Sequence, residues 1–372
     1  MSTITKVEIC MVDLAPPVRR TDAIQAFTSQ ETPIVTITDS DGLTGTGYSY
    51  TIGTGGPAII SLLEKTLAPA LIGQDPEQIE AIWRSLLFAT HATSVGAITS
   101  LAIAAIDIAL WDMRCQIAGL PLWKMAGGAK NRVPLYTTEG GWLHIRTEAL
   151  VSDALAMQAK GFLGAKIKIG SPHISTDQKR LAAVRNAVGP TFDIMVDANQ
   201  CFSRHEAQKR SAMLAALDIA WFEEPLPADD IGSHAALVQQ SGVPIAVGES
   251  LYSASQFKDY LVQGGCSIVQ PDVARIGGIT PWLKVAHMAE SFNISVCPHF
   301  LMELHVSLVC AVPNAPMLEY IPQLDSITTS RMTIKNGHAQ PPDTAGIGID
   351  WDWAAITKYS VEGSNFSITK GA

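Results

Sequence analysis

The sequence predicts an α/β fold: a (β/α)8-type barrel preceded by a smaller α+β domain. Three observations predict it. Apolar runs bounded by Gly, Pro and Asn recur from Val133 to Ile321, and such runs read as buried parallel strands. Helical sequence separates them, as in the repeat of a βα barrel. Three of the runs end in acidic residues at equal spacing. FDIMVDAN ends in Asp197 and Asn199, IAWFEEP in Glu223 and Glu224, and PIAVGES in Glu249, so Asp197, Glu223 and Glu249 stand 26 residues apart in turn. A repeat of that length holds one strand, one helix and two short loops.

In chain order, residues 3–12, 33–39 and 44–50 read as an antiparallel meander, with a Ser40-Asp41-Gly42 turn after the second strand. The polar segment 16–32 reads as a mobile loop. TIGTGGP (51–57) lacks the GK[ST] ending of a phosphate loop and reads as a lid or turn. Asp75-Pro76-Glu77-Gln78 has the form of a helix start, with Asp as N-cap and Pro at the first position. Residues 96–117 form a long, mostly buried helix stopped by Gly119 and Pro121.

The barrel repeat begins at VPLYTT, from Val133. A helix over 147–160, the strand GAKIKIG and a helix over 177–188 follow. In GAKIKIG, Lys166 and Lys168 share one face because strand side chains alternate. After the three acidic strands come a helix over 255–263 and CSIVQPDVARIGG, with Gln270, Asp272 and Arg275. A helix over 281–290 precedes ISVCPHF with His299, and a helix over 301–311 precedes PMLEYI with Glu319. That gives eight strand candidates. The last forty residues, with Trp351 and Trp353, fall outside the repeat and are expected to fold back onto the N-terminal domain.

Composition narrows the function. The 372 residues are 47% hydrophobic and 16% charged, as in a large packed enzyme. A formal net charge of −9 argues against nucleic acid or an anionic membrane as partner. The six cysteines make no CxxC pair, which fits reduced thiols in a cytoplasmic protein. The start, MSTITKVEIC, lacks a signal-peptide pattern. The most apolar segment, 98–110, contains Asp107 and is too short to span a bilayer.

Barrel enzymes carry their chemistry at the C-terminal strand ends. Lys166, Lys168, Asp197, Asn199, Glu223, Glu249, Asp272, His299 and Glu319 all fall there. Three converging carboxylates repel one another unless a cation joins them, and all-oxygen donors favour Mg²⁺ or Mn²⁺ over Zn²⁺. Asp197, Glu223 and Glu249 are therefore the expected metal ligands; the rival reading pairs them with Lys166 and Lys168 alone. Beside a second lysine and a cation, Lys168 loses proton affinity and becomes a candidate base. Lys166 neutralises the cluster or binds a substrate carboxylate, and spacing does not decide which lysine is the base.

Asp272 and His299, on successive strands, form a carboxylate–imidazole pair and a second acid/base group. Among the other histidines, only His144, near the end of the first barrel strand, is a further candidate. Glu319 is expected either to donate a hydrogen bond with a raised pKa or to make a rim salt bridge. This set fits removal of the α-proton of a carboxylate substrate, with the cation stabilising an enediolate. Racemisation or epimerisation and dehydration both remain open at this point. A catalytically silent sugar-acid binding protein is the alternative from another class.

These residues resemble the enolase superfamily, in particular its mandelate racemase subgroup, over nearly the whole chain. The stretch AAIDIALWDMRCQIAGLPLWKMAGG (104–128) is similar to the helix leading into that family's barrel. Lys166-x-Lys168 resembles its KxK motif, whose second lysine is usually the base. Asp197, Glu223 and Glu249 match its Mg²⁺ ligands, Asp272 and His299 its His–Asp dyad, and Glu319 its last-strand glutamate. The resemblance implies a modified TIM barrel with an N-terminal capping domain completed by the C-terminal segment. The divisions are 1–128, 129–330 and 331–372.

GTGYSY, TTEGGWLH, FEEPLPADDIGSHAAL, VQPDVARIGGITPWLK and PHFLMELH look most like galactarate/talarate dehydratases. That implies dehydration of an acid sugar to a 2-keto-3-deoxy acid by a homo-oligomer, with a small anionic carboxylate substrate. A muconate-type cycloisomerase wants a lysine where Asp272 stands. The first loop, APPVRRTDAIQAFTSQE, has no lysine, so Arg19 and Arg20 join Asn199, Lys166 and Glu319 as expected substrate contacts.

Overall fold

The structure, a computed structural model, describes residues 2–369. Strands β1 (Ile4–Leu14), β2 (Arg20–Thr21), β3 (Ala26–Phe27), β4 (Gln30–Asp39) and β5 (Thr44–Tyr48) come first. Helices α1 (Gly56–Leu62), α2 (Ala68–Leu71), α3 (Ile79–Ala89), α4 (Ala97–Ala118) and α5 (Leu122–Met125) follow. β1, β4 and β5 form the expected meander, in antiparallel register from Ile4↔Asp39 to Leu14↔Gln30 and from Ile34↔Tyr48 to Thr38↔Thr44.

α4 lies on this sheet and is buried around nearly its whole circumference. Its backbone approaches β5 closely: a Cβ on Gly47 would stand 2.2 Å from the Ala105 carbonyl oxygen. The helix ends at Gly119 in the left-handed conformation, with Leu120 N–H donating to the Cys115 carbonyl.

Two expectations for this region need correction. Asp75 does not begin a helix. Its carboxylate accepts the Glu77 N–H at 3.0 Å and its carbonyl accepts the Gln78 N–H at 3.1 Å, which closes a turn. Gln78, at φ −86° and ψ 51°, is not helical, so α3 starts at Ile79. Segment 16–32 is not a featureless loop. β2 and β3 pair as a hairpin, Arg20↔Phe27 and Thr21↔Ala26, and β4 already begins at Gln30. The segment TIGTGGP ends by starting α1, with Gly55 as its N-cap.

The barrel alternates β6 (Val133–Thr137), α6 (Thr147–Ala159), β7 (Gly164–Lys168), α7 (Ile174–Val188), β8 (Asp193–Asp197), α8 (Arg204–Ala215), β9 (Trp221–Glu223) and α9 (Ile231–Gln240). It continues through β10 (Ile245–Val247), α10 (Ala254–Gln263), β11 (Ile268–Val269), α11 (Ile279–Ser291), β12 (Ser295–Val296), α12 (Met302–Ala311) and β13 (Leu318–Tyr320). The parallel ladder runs β13-β6-β7-β8-β9-β10-β11-β12. Its two ends meet where Val296 N–H donates to the Asn314 carbonyl at 2.9 Å and Phe300 N–H to the Glu319 carboxylate at 2.8 Å. Register places Lys168 beside Asp197 and Asp197 beside Glu223, so the predicted residues share one rim.

The chain's last part takes two directions. The hairpin β14 (Thr333–Lys335) and β15 (His338–Gln340) pairs antiparallel with β6 of the barrel, His338↔Pro134 and Ala339↔Val133. Beyond it, Ile347 N–H donates to Asp112 of α4 at 2.9 Å, and Trp351 packs edge-on against Tyr48. After α13 (Trp353–Tyr359), β16 (Phe366–Thr369) pairs with β1. No helix among the described residues is long and apolar enough to cross a membrane.

Candidate active site and metal centre

Asp197 and Glu223 are the last residues of β8 and β9, and Glu249 stands two residues past β10. Each offers a carboxylate oxygen within 4.8 Å of the others, and all three residues are buried. The turn before Glu249 is tight: Gly248 has φ 151°, and a Cβ there would lie 2.6 Å from the Gln270 backbone. Burial pushes Glu223 up to about 7, with Asp197 and Glu249 adding to burial and Lys166 opposing it. Burial also raises Glu249, but His299, Arg275 and the two lysines overcome it and hold it at about 2.

Glu249 Oε2 is buried with no hydrogen-bond partner among the described residues. An orphaned buried carboxylate oxygen facing two others is what a hard divalent cation satisfies, so the donor set fits Mg²⁺.

Within the protein alone, the lysines supply the counter-charge. Lys166 Nζ lies 2.8 Å from Glu223, 2.9 Å from Glu319 and 3.9 Å from Asp197. Lys168 Nζ pairs closely with Asp197 Oδ2. Burial disfavours the charge on Lys168, but Asp197 outweighs it and the pKa is raised. The lowered proton affinity expected of Lys168 concerns a site that also holds a cation, which would draw on the charge that Asp197 here shares between Lys168, Lys166 and the Asn199 N–H.

Across the barrel, His299 Nδ1–H donates to Asp272 Oδ2 at 2.9 Å, and Nε2 lies 3.5 Å from Glu249 Oε2. Tyr50 O–H donates to the same oxygen at 2.6 Å, and Asp272 Oδ1 accepts the Ala274 and Arg275 N–H groups at 2.8 and 3.1 Å. Burial raises Asp272, but His299 and Arg275 hold it at about 2. Phe300 stacks on the imidazole at 5.2 Å.

Glu319 accepts from Thr138 O–H at 2.6 Å and from Phe300 N–H at 2.8 Å, beside Lys166. Burial raises its pKa, yet Lys166, His299 and these donors bring it down to about 2. The raised pKa expected of a hydrogen-bond donor is therefore not found, and the salt-bridge reading describes it. Asn199, at φ 44°, donates its N–H to Asp197 and keeps a buried side-chain oxygen unpartnered.

One pocket gathers Lys166, Lys168, Asn199, Glu249, His299 and Glu319. Neither Arg19 nor Arg20 is among its lining residues. Arg19 is exposed. Arg20 is 1% exposed and ion-paired with Glu139; it donates to Gln323 at 2.9 Å and lies against Phe27, Trp142 and Phe300. It ties the β2–β3 hairpin to the barrel, and its charge is spent there. His144 is exposed and hydrogen-bonded to Thr21.

Sequence reasoning missed Tyr50, Thr138, Trp142, Asp22 and Gln25, which also line the pocket. All lie on loops or past strand ends, where no periodicity marks them. Gln270, noted only for its position, donates to Glu223 at 2.7 Å.

Fold and site together define a barrel enzyme whose acid/base groups surround a buried carboxylate cluster under a second, smaller sheet. Residues 6–127 match the mandelate racemase / muconate lactonizing enzyme N-terminal domain, and residues 149–355 match the enolase C-terminal domain-like family. The chain belongs to this mandelate racemase family of the enolase superfamily.

An L-talarate/galactarate dehydratase of Salmonella typhimurium is 36% identical over 92% of this chain and 87% of its own length. A 3,6-anhydro-alpha-L-galactonate cycloisomerase of Streptomyces coelicolor is also 36% identical, over 93% of this chain and 96% of its own. The crystal structure of an L-talarate dehydratase from a Polaromonas species, complexed with Mg and L-glucarate, superposes with TM-score 0.92. It is 34% identical, over 100% of both chains.

Proposed function

We propose that this chain is an Mg²⁺-dependent acid-sugar dehydratase that converts an aldonate or aldarate to a 2-keto-3-deoxy acid. One observation carries the reading: Lys168 and His299 border one pocket beside a buried three-carboxylate cluster. Lys168 ends β7 and His299 stands three residues past β12, strands well separated in the ladder. Dehydration needs two proton-handling groups at adjacent carbons, one to take the α-proton and one to protonate the departing β-hydroxyl. The dehydratases among the relatives support the same reading.

Asp197, Glu223 and Glu249 would hold the ion. When bound, it supplies positive charge to the substrate carboxylate, which lowers the cost of removing the neighbouring proton. Lys166 and Asn199 face that carboxylate end. Lys168 takes the α-proton; a held ion would draw on the Asp197 charge that otherwise keeps this lysine protonated. His299, oriented through Nδ1–H by Asp272 and doubly protonated at this stage, gives the proton on Nε2 to the leaving hydroxyl, which departs as water. The enol that remains tautomerises to the keto acid. Glu319 holds Lys166 in place.

In this reading residues 1–128 and the chain's end from 331 cap a barrel of 129–330. The β16–β1 pairing supports that division, while the β15–β6 pairing gives part of the end to the barrel. The working form is a cytoplasmic homo-oligomer, and six free cysteines support a reducing compartment.

The test is a keto-acid assay over aldonates and aldarates, run with Mg²⁺ and after EDTA, alongside α-proton exchange in D₂O. Keto acid that vanishes with EDTA and returns with Mg²⁺ is expected. Exchange without keto acid would instead assign racemisation or epimerisation.

A further inference from the structure

We infer that the pocket selects monocarboxylic sugar acids, with a hydroxyl at the end remote from the reacting carboxylate, over dicarboxylic ones, and that Asp22 makes the selection. The inference rests on the acid-sugar reading above and deepens it.

The basic lining residues Lys166, Lys168, Arg275 and His299 all come from the barrel, and each faces a carboxylate of the barrel wall. Opposite them, the cap contributes Asp22, Gln25, Phe27, Tyr50 and Ile52. No lysine, arginine or histidine stands among these. The two arginines nearest in sequence are unavailable, Arg20 being ion-paired with Glu139 and Arg19 outside the pocket. A substrate whose reacting carboxylate sits at the strand ends presents its far end to this cap wall. A second carboxylate arriving there would lose water with no cap cation to pair with, and would meet an anion of its own sign.

Asp22 is built to stay in place. Its Oδ1 accepts the Ile24 and Gln25 N–H groups at 2.8 Å each, closing the β2–β3 turn. Thr21 carbonyl accepts Leu143 N–H at 2.9 Å, and Phe27 packs edge-on against Trp142 at 6.0 Å, so the hairpin is fastened to the barrel. Asp22 Oδ2 accepts no hydrogen bond among the described residues, which leaves it free for the hydroxyl of a terminal CH₂OH. Such a hydroxyl donates; a carboxylate cannot.

The test compares kcat/KM for six-carbon aldonates and aldarates matched in hydroxyl configuration, in the full chain with Mg²⁺. The wild-type chain is expected to favour the aldonate by about tenfold or more. Asp22→Asn keeps an acceptor for the two turn N–H groups and removes the charge. It should raise the aldarate-to-aldonate ratio by about tenfold, and Asp22→Lys should raise it further. Unchanged melting temperatures show that the turn has survived. Turnover of aldarates alone, or a ratio that Asp22→Asn does not move, overturns the inference and leaves the dehydratase reading standing. No keto acid and no deuterium exchange with any acid tested overturns both.

Discussion

The barrel wall of the pocket and the cap wall facing it are made differently. On the barrel side, charged groups sit at strand ends fixed by the parallel register: Lys168 beside Asp197, Asp197 beside Glu223. Each of these three is buried and each has a partner. On the cap side, the lining comes from a two-residue-stranded hairpin and the segment after β5, and is mostly neutral. Rigid, paired charge suits the chemical step, because proton transfer depends on sub-ångström placement and on field. A small hairpin suits recognition, because its sequence can change without disturbing the strand register.

The largest effects should come from the barrel wall. Lys168→Ala and His299→Ala should each lower kcat by about 10³-fold or more, in variants that stay folded although each leaves a buried carboxylate without its partner and lowers the melting temperature. The two differ in deuterium exchange. If Lys168 takes the α-proton, Lys168→Ala loses exchange as well as keto acid, whereas His299→Ala retains exchange on a substrate whose hydroxyl cannot leave unaided. Equal loss of exchange in both would assign His299 to the α-proton.

That contrast also explains what the sequence made readable. Asp197, Glu223 and Glu249 announce themselves because a barrel repeats at nearly constant length and its strands all end on one rim. Asp272 and His299 follow by the same logic, two residues on neighbouring strands. Tyr50 does not, because it reaches Asp272 from the cap, 222 positions away in the chain. Arg20 misleads for a related reason. It starts the hairpin whose turn lines the pocket, but its partner Glu139 is 119 positions away, and nothing local marks the pair. The charge state of Glu319 was hidden too, since it depends on four neighbours from three different elements.

Arg20 therefore gives the next largest effect, and it should fall on stability rather than chemistry. Removing one member of a buried pair strands the other. Glu139 keeps some solvent contact at 17% exposure, so Arg20→Ala should cost about 2–3 kcal/mol rather than the full value for a buried pair. Urea unfolding measures it. A variant of normal stability that has lost turnover of every substrate would place Arg20 in the site after all.

Asp272 offers a pH test of the barrel wall. Its folded pKa, about 2, lies below the ordinary value for Asp, about 3.9. The stability it contributes is present above pH 4 and is lost as the pH falls toward 2. The size is about 2 kcal/mol. Asp272→Asn should flatten the acid limb of stability between pH 4 and 2 relative to the parent. An unchanged limb would mean that the histidine and the backbone donors do not hold the carboxylate charged.

Tyr50→Phe probes a bond that runs from the cap wall to the acid/base pair of the barrel wall. It removes a single donor from Asp272 Oδ2 and leaves His299 and the backbone N–H groups in place. Partners of this kind are worth about tenfold in activity, so kcat should fall by about that factor with little change in KM. A fall confined to KM would make Tyr50 a substrate contact instead.

The smallest expected effect is the most discriminating between the walls. Arg19 is exposed and outside the pocket, so Arg19→Ala should change stability by less than about 0.5 kcal/mol and leave kcat/KM for aldonates and aldarates alike. Arg19 and Arg20 are adjacent in sequence and identical in chemistry, yet one should cost stability and the other nothing. If Arg19→Ala lowered activity toward aldarates alone, a cation would be reaching the far end of the substrate from the hairpin. The neutral cap wall, and the selection assigned to Asp22, would then both be wrong.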